Sequence, residues 1–309
     1  MPNPEKDRAN QGVTLVVPTL NRGEYLVDTL HDLLAQDYRP LEILVVDQSS
    51  DDAPELSELV SRKTETLAYH KVRFRGLPMA RNFGWQQARY DTLVFVDDDI
   101  RCGPTLVSEH VRGLSLPNVG MVAGGIDEGN PPQSDGELPG RFNSWTATAV
   151  RSFGTNQECF VQHVAGCNFS ARRSVLQAAG GFDEALAVGA ALYEETELCL
   201  RVQKCGFDIY FNGNARLQHL VAGNGGCRVP DPAKYMESLA HNRVILIERH
   251  VRWFQAPVAY ARLFVLFLSY AAHYRSLALV RAGMKGMSAG LRDAKQPPRC
   301  SDFGSGVRA

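Results

Sequence analysis

Residues 93–99 read Leu-Val-Phe-Val-Asp-Asp-Asp, and this junction constrains the fold more than any other segment. The four apolar residues, β-branched and aromatic among them, predict a short buried strand. Three carboxylates stand where that strand ends. Adjacent like charges repel, and each needs a partner or water. Carboxylates at alternate positions can share one divalent cation, because Mg²⁺ and Mn²⁺ take oxygen ligands. A solvated acidic turn carries the same letters, so the meaning of the triplet depends on its surroundings.

Upstream, Val13–Val17 predicts a first strand, followed by the turn Pro18-Thr-Leu-Asn-Arg-Gly-Glu. Asn21 with Glu24 fits an N-cap followed by an acid three residues on. Leu26, Leu30, Leu33 and Leu34 then recur at helical spacing. Leu41–Val46 predicts a second strand that ends in Asp47-Gln48-Ser-Ser-Asp-Asp. Helices are expected over about 54–63 and from Pro78 onward, before the strand that enters Asp97–Asp99. Strands and helices alternating at this spacing predict a parallel sheet of α/β type. Such sheets bind ligands beyond the carboxyl ends of their strands. Pro18–Arg22, Asp47–Ser50 and Asp97–Asp99 therefore converge on one crevice.

The second half is less regular. Residues 127–140 read as a loop, and Gly166-Cys-Asn-Phe leads to a helix ending at Gly180-Gly181. Tyr193-Glu-Glu-Thr-Glu opens another helix, which Gly206 terminates. Phe207–Phe211 reads as a strand with His219 a few residues beyond it.

The chain has 309 residues, 44% hydrophobic and 22% charged, enough for a sizeable core in one large or two ordinary domains. A net charge of −1 provides no global field for nucleic acid. From Arg249 onward there are ten Lys/Arg against two Asp/Glu, a balance of +8 that leaves −9 on the rest. Seven scattered cysteines without a C-x-x-C pair point to a reducing compartment. The N-terminal residues lack the apolar core of a signal peptide. No uncharged run reaches the roughly 20 apolar residues of a spanning helix. The expected location is therefore cytoplasmic.

Seven segments in this order resemble the family 2 glycosyltransferases. They are Val-Val-Pro-Thr-Leu-Asn-Arg (16–22), Val-Val-Asp-Gln-Ser (45–49), Gly76-Leu-Pro-Met-Ala-Arg-Asn-Phe-Gly84, Val-Phe-Val-Asp-Asp-Asp, Gly166-Cys-Asn-Phe, Gly180-Gly-Phe-Asp-Glu184 and Glu194-Glu-Thr-Glu-Leu-Cys-Leu-Arg201. The resemblance covers about residues 12–225. It implies a GT-A fold, an α/β class with a mostly parallel central sheet flanked by helices. It also implies inverting transfer of a sugar from a nucleotide diphosphate sugar to a hydroxyl acceptor, with Mn²⁺ or Mg²⁺. On that reading Asp99, Asp97 and His219 hold the metal. Pro18, Thr19, Asn21, Arg22, Asp47, Gln48, Arg81, Asp97 and Asp98 bind the donor, and Arg75 is a further candidate for the diphosphate.

The general base is expected at Glu195, with Glu194 next. Acids in a first helical turn favour the helix dipole whatever their function, but three in four residues exceed that need. Two departures from the family pattern matter. Glu195 stands where the family has Asp, and Gln48 stands where a second Asp commonly accepts from uracil N3–H. A Gln carbonyl can accept too, but its amide adds a donor. UDP is the favoured donor nucleotide, with dTDP and GDP open.

Residues 1–11 are expected to be flexible, 226–295 to form a helical basic extension, and 296–309 to be disordered. The extension mixes Trp, Phe and Tyr with single cations. This suits a helix in the membrane interface, on the inner face, or helices packed on the catalytic domain or on a second subunit of a homodimer. The acceptor is a carbohydrate or a lipid-linked molecule, as in polysaccharide or glycolipid assembly. The alternatives are a sugar-1-phosphate nucleotidyltransferase, whose Gly-rich basic loop Pro18–Arg22 poorly replaces, and a non-catalytic nucleotide-sugar binder.

Overall fold

Val13, Leu15, Val16 and Val17 are fully buried, as are Ile43, Leu44, Val45 and Val46. Both faces of these two strands are covered, which is why their apolar runs show no alternation. The computed structural model describes residues 12–50, 54–62, 65–129, 138–223 and 225–304. The expected flexible stretch 1–11 lies outside the described residues.

Strands β1 (Val13–Thr19), β2 (Leu41–Asp47), β3 (Leu67–Lys71) and β4 (Thr92–Val96) are parallel, in the order β3-β2-β1-β4. β10 (Asn168–Arg172) follows antiparallel to β4, then β6 (Val119–Asp127), β11 (Asp208–His219) and β5 (Ile100–Cys102). β6 and β11 are parallel, and β9 (Glu158–Val161) pairs antiparallel with β11. β7 (Arg141–Asn143) and β8 (Thr148–Val150) form a separate hairpin.

Helices α1 (Gly23–Leu34), α2 (Pro54–Arg62), α3 (Leu77–Gln87), α4 (Leu106–Leu114), α5 (Arg173–Ala179) and α6 (Glu194–Lys204) accompany the sheet, with a 3₁₀ turn at Glu184–Ala187. Three further helices complete the chain: α7 (Pro232–His250), α8 (Ala256–His273) and α9 (Ala278–Asp293). The mostly parallel central sheet, the flanking helices and the helical C-terminal region are thus all present.

Local chemistry sets several boundaries. α5 stops at Gly180, whose φ of 80° is left-handed and costs glycine nothing. α9 lies so close to α7 that a Cβ on Gly286 would stand 2.0 Å from the Glu237 carbonyl oxygen.

Three expectations need correction. Asn21 does not cap α1: the helix begins at Gly23 after Arg22, and Asn21 has a left-handed φ of 57°. Its backbone N–H instead donates to Ser49 Oγ at 2.7 Å, tying the first two loops together. The strand expected at Phe207–Phe211 runs on to His219, through a register shift between Asn212 and Arg216. His219 is therefore its last residue and pairs with Ile100.

Residues 296–304 are not disordered. The Arg299 N–H donates to Asp183 Oδ1 at 2.9 Å and Ser301 Oγ to Glu184 Oε2 at 2.6 Å. The Phe303 ring packs 5.0 Å from Phe74 and 5.5 Å from Phe83. Residues 305–309 lie outside the described residues.

Candidate active site

The acidic triplet sits where β4 ends, and its three members meet different surroundings. Asp98 turns inward and is buried. Thr19 Oγ1 donates to it at 2.6 Å and Arg22 Nη1 at 3.0 Å. Burial pushes its carboxyl up to about 6, against the hydrogen bond from Thr19 and the charge of Arg22. Asp99 is also buried. Its Oδ2 accepts from the Ala222 N–H at 2.8 Å and lies 3.2 Å from Arg22. Burial alone would raise Asp99, but His219, the Ala222 N–H and Arg22 hold it below the usual carboxylate range.

His219 reaches the triplet because β11 pairs with β5, immediately after Asp99. Its Nε2 is 3.3 Å from Asp99 Oδ1 and 3.8 Å from Asp97 Oδ2. Burial would lower its pKa, yet the bonds to Asp99 and Glu128 and the neighbouring acids raise it to about 9. One ligand atom from each of Asp97, Asp99 and His219 lies within 4.8 Å of the others. Asp99 Oδ1 is buried, and among the described residues it has no hydrogen-bond partner beyond this ion-pair contact with His219. Two carboxylates and one imidazole around such an oxygen fit Mn²⁺ or Mg²⁺, which could replace the proton on Nε2.

Glu194 and Glu195 open α6, but they face different neighbours. The approach to them bends through left-handed residues, Ala191 at φ 48° and Tyr193 at φ 68°. Backbone strain of this kind persists only where the surroundings enforce it. Glu194 is 1% exposed and paired with Arg81, which is itself 1% exposed. Arg81 also donates to the Gly166 carbonyl at 2.8 Å and lies 3.6 Å from Asp97. The expectation that Arg81 meets a diphosphate differs from this placement, since its charge is committed inside the protein. Glu195 is half-buried, and among the described residues it has neither a hydrogen bond nor an ion pair. Arg151 feels the charges of Glu128, Glu195 and Asp97 together, so these acids share one neighbourhood.

A cleft of about 730 Å³ opens beside the triplet, lined by Pro18, Thr19, Arg22, Gln48, Arg75 and His219 among others. Asp47 lies behind it, accepting from the Ser49 N–H at 2.8 Å and from the Tyr69 hydroxyl. The Gln48 carbonyl accepts from the Gly76 N–H at 2.7 Å. This orientation assigns the amide N–H₂ as the Gln48 group free of that bond. Asn21 does not line the cleft.

Sequence reasoning misses Glu128, Arg151 and Tyr235. Glu128 lies in a segment that reads only as loop, although His219 Nδ1 is 3.4 Å from its Oε1. Tyr235 lines the cleft from α7, a helix with no motif to mark it.

A family model described as Glycosyl transferase family 2 matches residues 14–179. The glucosyl-dolichyl phosphate glucuronosyltransferase of Haloferax volcanii is 25% identical over 218 residues, 67% of this chain and 68% of that protein. GalNAc-T7, solved with UDP, GalNAc and Mn²⁺, superposes with a TM-score of 0.61 at 18% identity. That match covers 86% of this chain and 58% of GalNAc-T7. The Pyrobaculum calidifontis mannosyltransferase, solved with GDP-Man and Mn²⁺, gives a TM-score of 0.54 at 18% identity, covering 91% and 86% of the two chains. The fold is GT-A.

Proposed function

Because the chain belongs to glycosyl transferase family 2, we propose that it transfers a sugar from a nucleoside diphosphate donor to a hydroxyl acceptor with inversion. The observation that carries this reading is the convergence of Asp97, Asp99 and His219 ligand atoms within 4.8 Å at the edge of a 730 Å³ cleft. Glu195, half-buried and with no side-chain hydrogen bond or ion pair among the described residues, supports the base assignment.

In this mechanism Glu195 takes the proton of the acceptor hydroxyl as its oxygen attacks the anomeric carbon. The bond from that carbon to the diphosphate breaks, and the nucleoside diphosphate leaves with the electron pair. Held by Asp97, Asp99 and His219, Mn²⁺ or Mg²⁺ would supply Lewis-acid neutralisation of the leaving charge. Thr19 and Arg22 fix Asp98, and so hold the loop that presents its two neighbours. Arg75 in the cleft wall suits a diphosphate oxygen. Glu194 is assigned to orientation of the α6 start through Arg81, and not to proton transfer.

The donor nucleotide is proposed to be UDP. Uracil carries carbonyl acceptors that the Gln48 N–H₂ can serve, so the base is recognised without a second Asp. The acceptor is proposed to be a carbohydrate or lipid-linked hydroxyl, and the site of action the cytoplasm, consistent with seven free cysteines.

The test is Mn²⁺-dependent release of nucleoside diphosphate from a panel of UDP-, dTDP- and GDP-sugars. Asp99→Ala is expected to abolish metal-dependent release, and wild-type turnover in that variant overturns the metal assignment. Pyrophosphate formed from a nucleoside triphosphate and a sugar phosphate would instead indicate nucleotidyl transfer. Donor binding without turnover would indicate a non-catalytic binder.

A further inference from the structure

α8 is apolar on both sides but covered on one. Ala259, Leu263, Phe267 and Ala271 form a buried stripe toward the rest of the protein. Val258, Phe264, Val265 and Leu268 lie on the opposite side and are 45–47% exposed. In water a helix that is apolar all round is normally enclosed. Here 22% of the most apolar 18-residue window is buried. Beyond the two ends of the helix, Trp253 is 86% exposed and Leu277 76%. Trp253, Phe254 and Trp145 form an aromatic cluster at one end, each Trp ring centroid 5.9 Å from that of Phe254.

The charges this segment itself carries have one sign, although Glu248 of α7 accepts from the Tyr260 hydroxyl of α8. Between Val251 and Arg292 there are six Lys/Arg and no Asp/Glu. Arg252, Arg262, Arg275 and Arg281 are exposed. Lys285 is paired with Glu237 of α7 at 2.9 Å, so it contributes less. We propose that the outer face of α8, with Trp253 and Leu277 at its ends, docks on an anionic lipid bilayer.

Charge decides between this occupant and a second copy. A two-fold interface apposes each surface to itself, and would bring these four arginines together with their counterparts against the few acids of α7, Glu237 and Glu248. An anionic headgroup layer complements them. Arg262 in the middle of α8, and the packing of its inner stripe on protein, fit a helix lying in the interface plane and not one crossing it. Tyr235 of the cleft wall stacks with Tyr270 of α8, ring centroids 6.3 Å apart. On the glycosyl-transfer reading, docking therefore brings the cleft beside the membrane and suits a lipid-borne hydroxyl acceptor.

Vesicle binding tests the docking independently of turnover. The full chain is mixed with phosphatidylcholine vesicles, with or without about 30% phosphatidylglycerol, and sedimented. The expected result is at least about tenfold stronger binding to the anionic vesicles, weakened by raising salt from about 0.1 to about 0.5 M. Leu268→Glu and the double variant Arg262→Glu/Arg275→Glu should each lose about tenfold. Both should keep the wild-type circular dichroism spectrum and the wild-type rate on a soluble acceptor. Absence of vesicle binding by the wild-type chain overturns the proposal. So does a concentration-dependent dimer that Leu268→Glu dissolves, since a second copy would then occupy the face.

Discussion

Glu128 Oε1 faces His219 Nδ1 at 3.4 Å, while Nε2 of the same ring faces Asp99 at 3.3 Å. A carboxylate at Nδ1 keeps the proton on that nitrogen and leaves Nε2 as the one available to a cation. Glu128→Ala is expected to weaken Mn²⁺ binding by about 10- to 100-fold, read by calorimetry or by the electron paramagnetic signal of free Mn²⁺. Glu128→Gln, which still accepts through its carbonyl, should lose less. Equal affinity in wild type and Glu128→Ala would remove Glu128 from this role.

The two neighbouring glutamates of α6 should separate in kinetics. Glu195→Gln is expected to bind donor normally and lose about 10²- to 10⁴-fold in transfer rate. Glu194→Gln should act mainly on stability, because its carboxylate is paired with Arg81. An unchanged rate in Glu195→Gln would move the base role to another residue.

Arg81 and Glu194 form an ion pair in which both side chains are 1% exposed. Removing one partner leaves the other charged and buried. Arg81→Ala is expected to cost about 3–5 kcal/mol in urea unfolding. The double variant Arg81→Met/Glu194→Gln should be less destabilised than Arg81→Ala. If the double variant is the weaker of the two, the pair is not what holds these residues.

His110 is fully buried on α4, with Ser170 Oγ 3.0 Å from Nδ1 and Asn168 Oδ1 2.9 Å from Nε2. Burial lowers its pKa from 6.5 to about 4, partly offset by the bond to Asn168. The unfolded chain takes up this proton below pH 6.5, whereas the folded protein resists until about 4. Stability from this group is therefore full above pH 6.5 and falls as pH drops from there to about 4. Between about pH 7.5 and 5.0, wild type should lose roughly 2 kcal/mol more than His110→Gln. Comparing the two cancels other titrating groups, including His219, whose raised value acts with the opposite sign. Parallel urea profiles at the two pH values would refute the assignment.

The parallel half of the sheet is legible in the sequence because its strands are buried on both faces and end in polar clusters. Val13–Thr19, Leu41–Asp47 and Thr92–Val96 are apolar and rich in β-branched residues, and Asn21–Arg22, Asp47–Gln48 and Asp97–Asp99 close them. β6 escapes such a reading: its Val-Gly-Met-Val-Ala-Gly-Gly run has weak strand propensity and is held by its partners β10 and β11. The triplet and His219 are recognisable by residue type and order. The inward turn of Asp98 and the burial of Arg81 depend on contacts 76 to 85 residues away in sequence, Arg22 for the one and Gly166 for the other. No local pattern encodes such distances. Residues 296–304 look disordered by their Gln, Pro and Ser content. What orders them is a set of acceptors on Asp183 and Glu184, over a hundred positions earlier.

That last contact sews the stretch after α9 back onto the sheet-bearing part of the chain. After leaving the sheet for three helices, the backbone returns to clasp the turn at Asp183–Glu184 and the Phe83 side of α3, the helix that also carries Arg81. The helical bundle is thus fastened to the catalytic layer at its exit as well as its entrance. Anything that pulls on the bundle is transmitted through two seams instead of one, and the second seam runs to within two residues of the buried arginine.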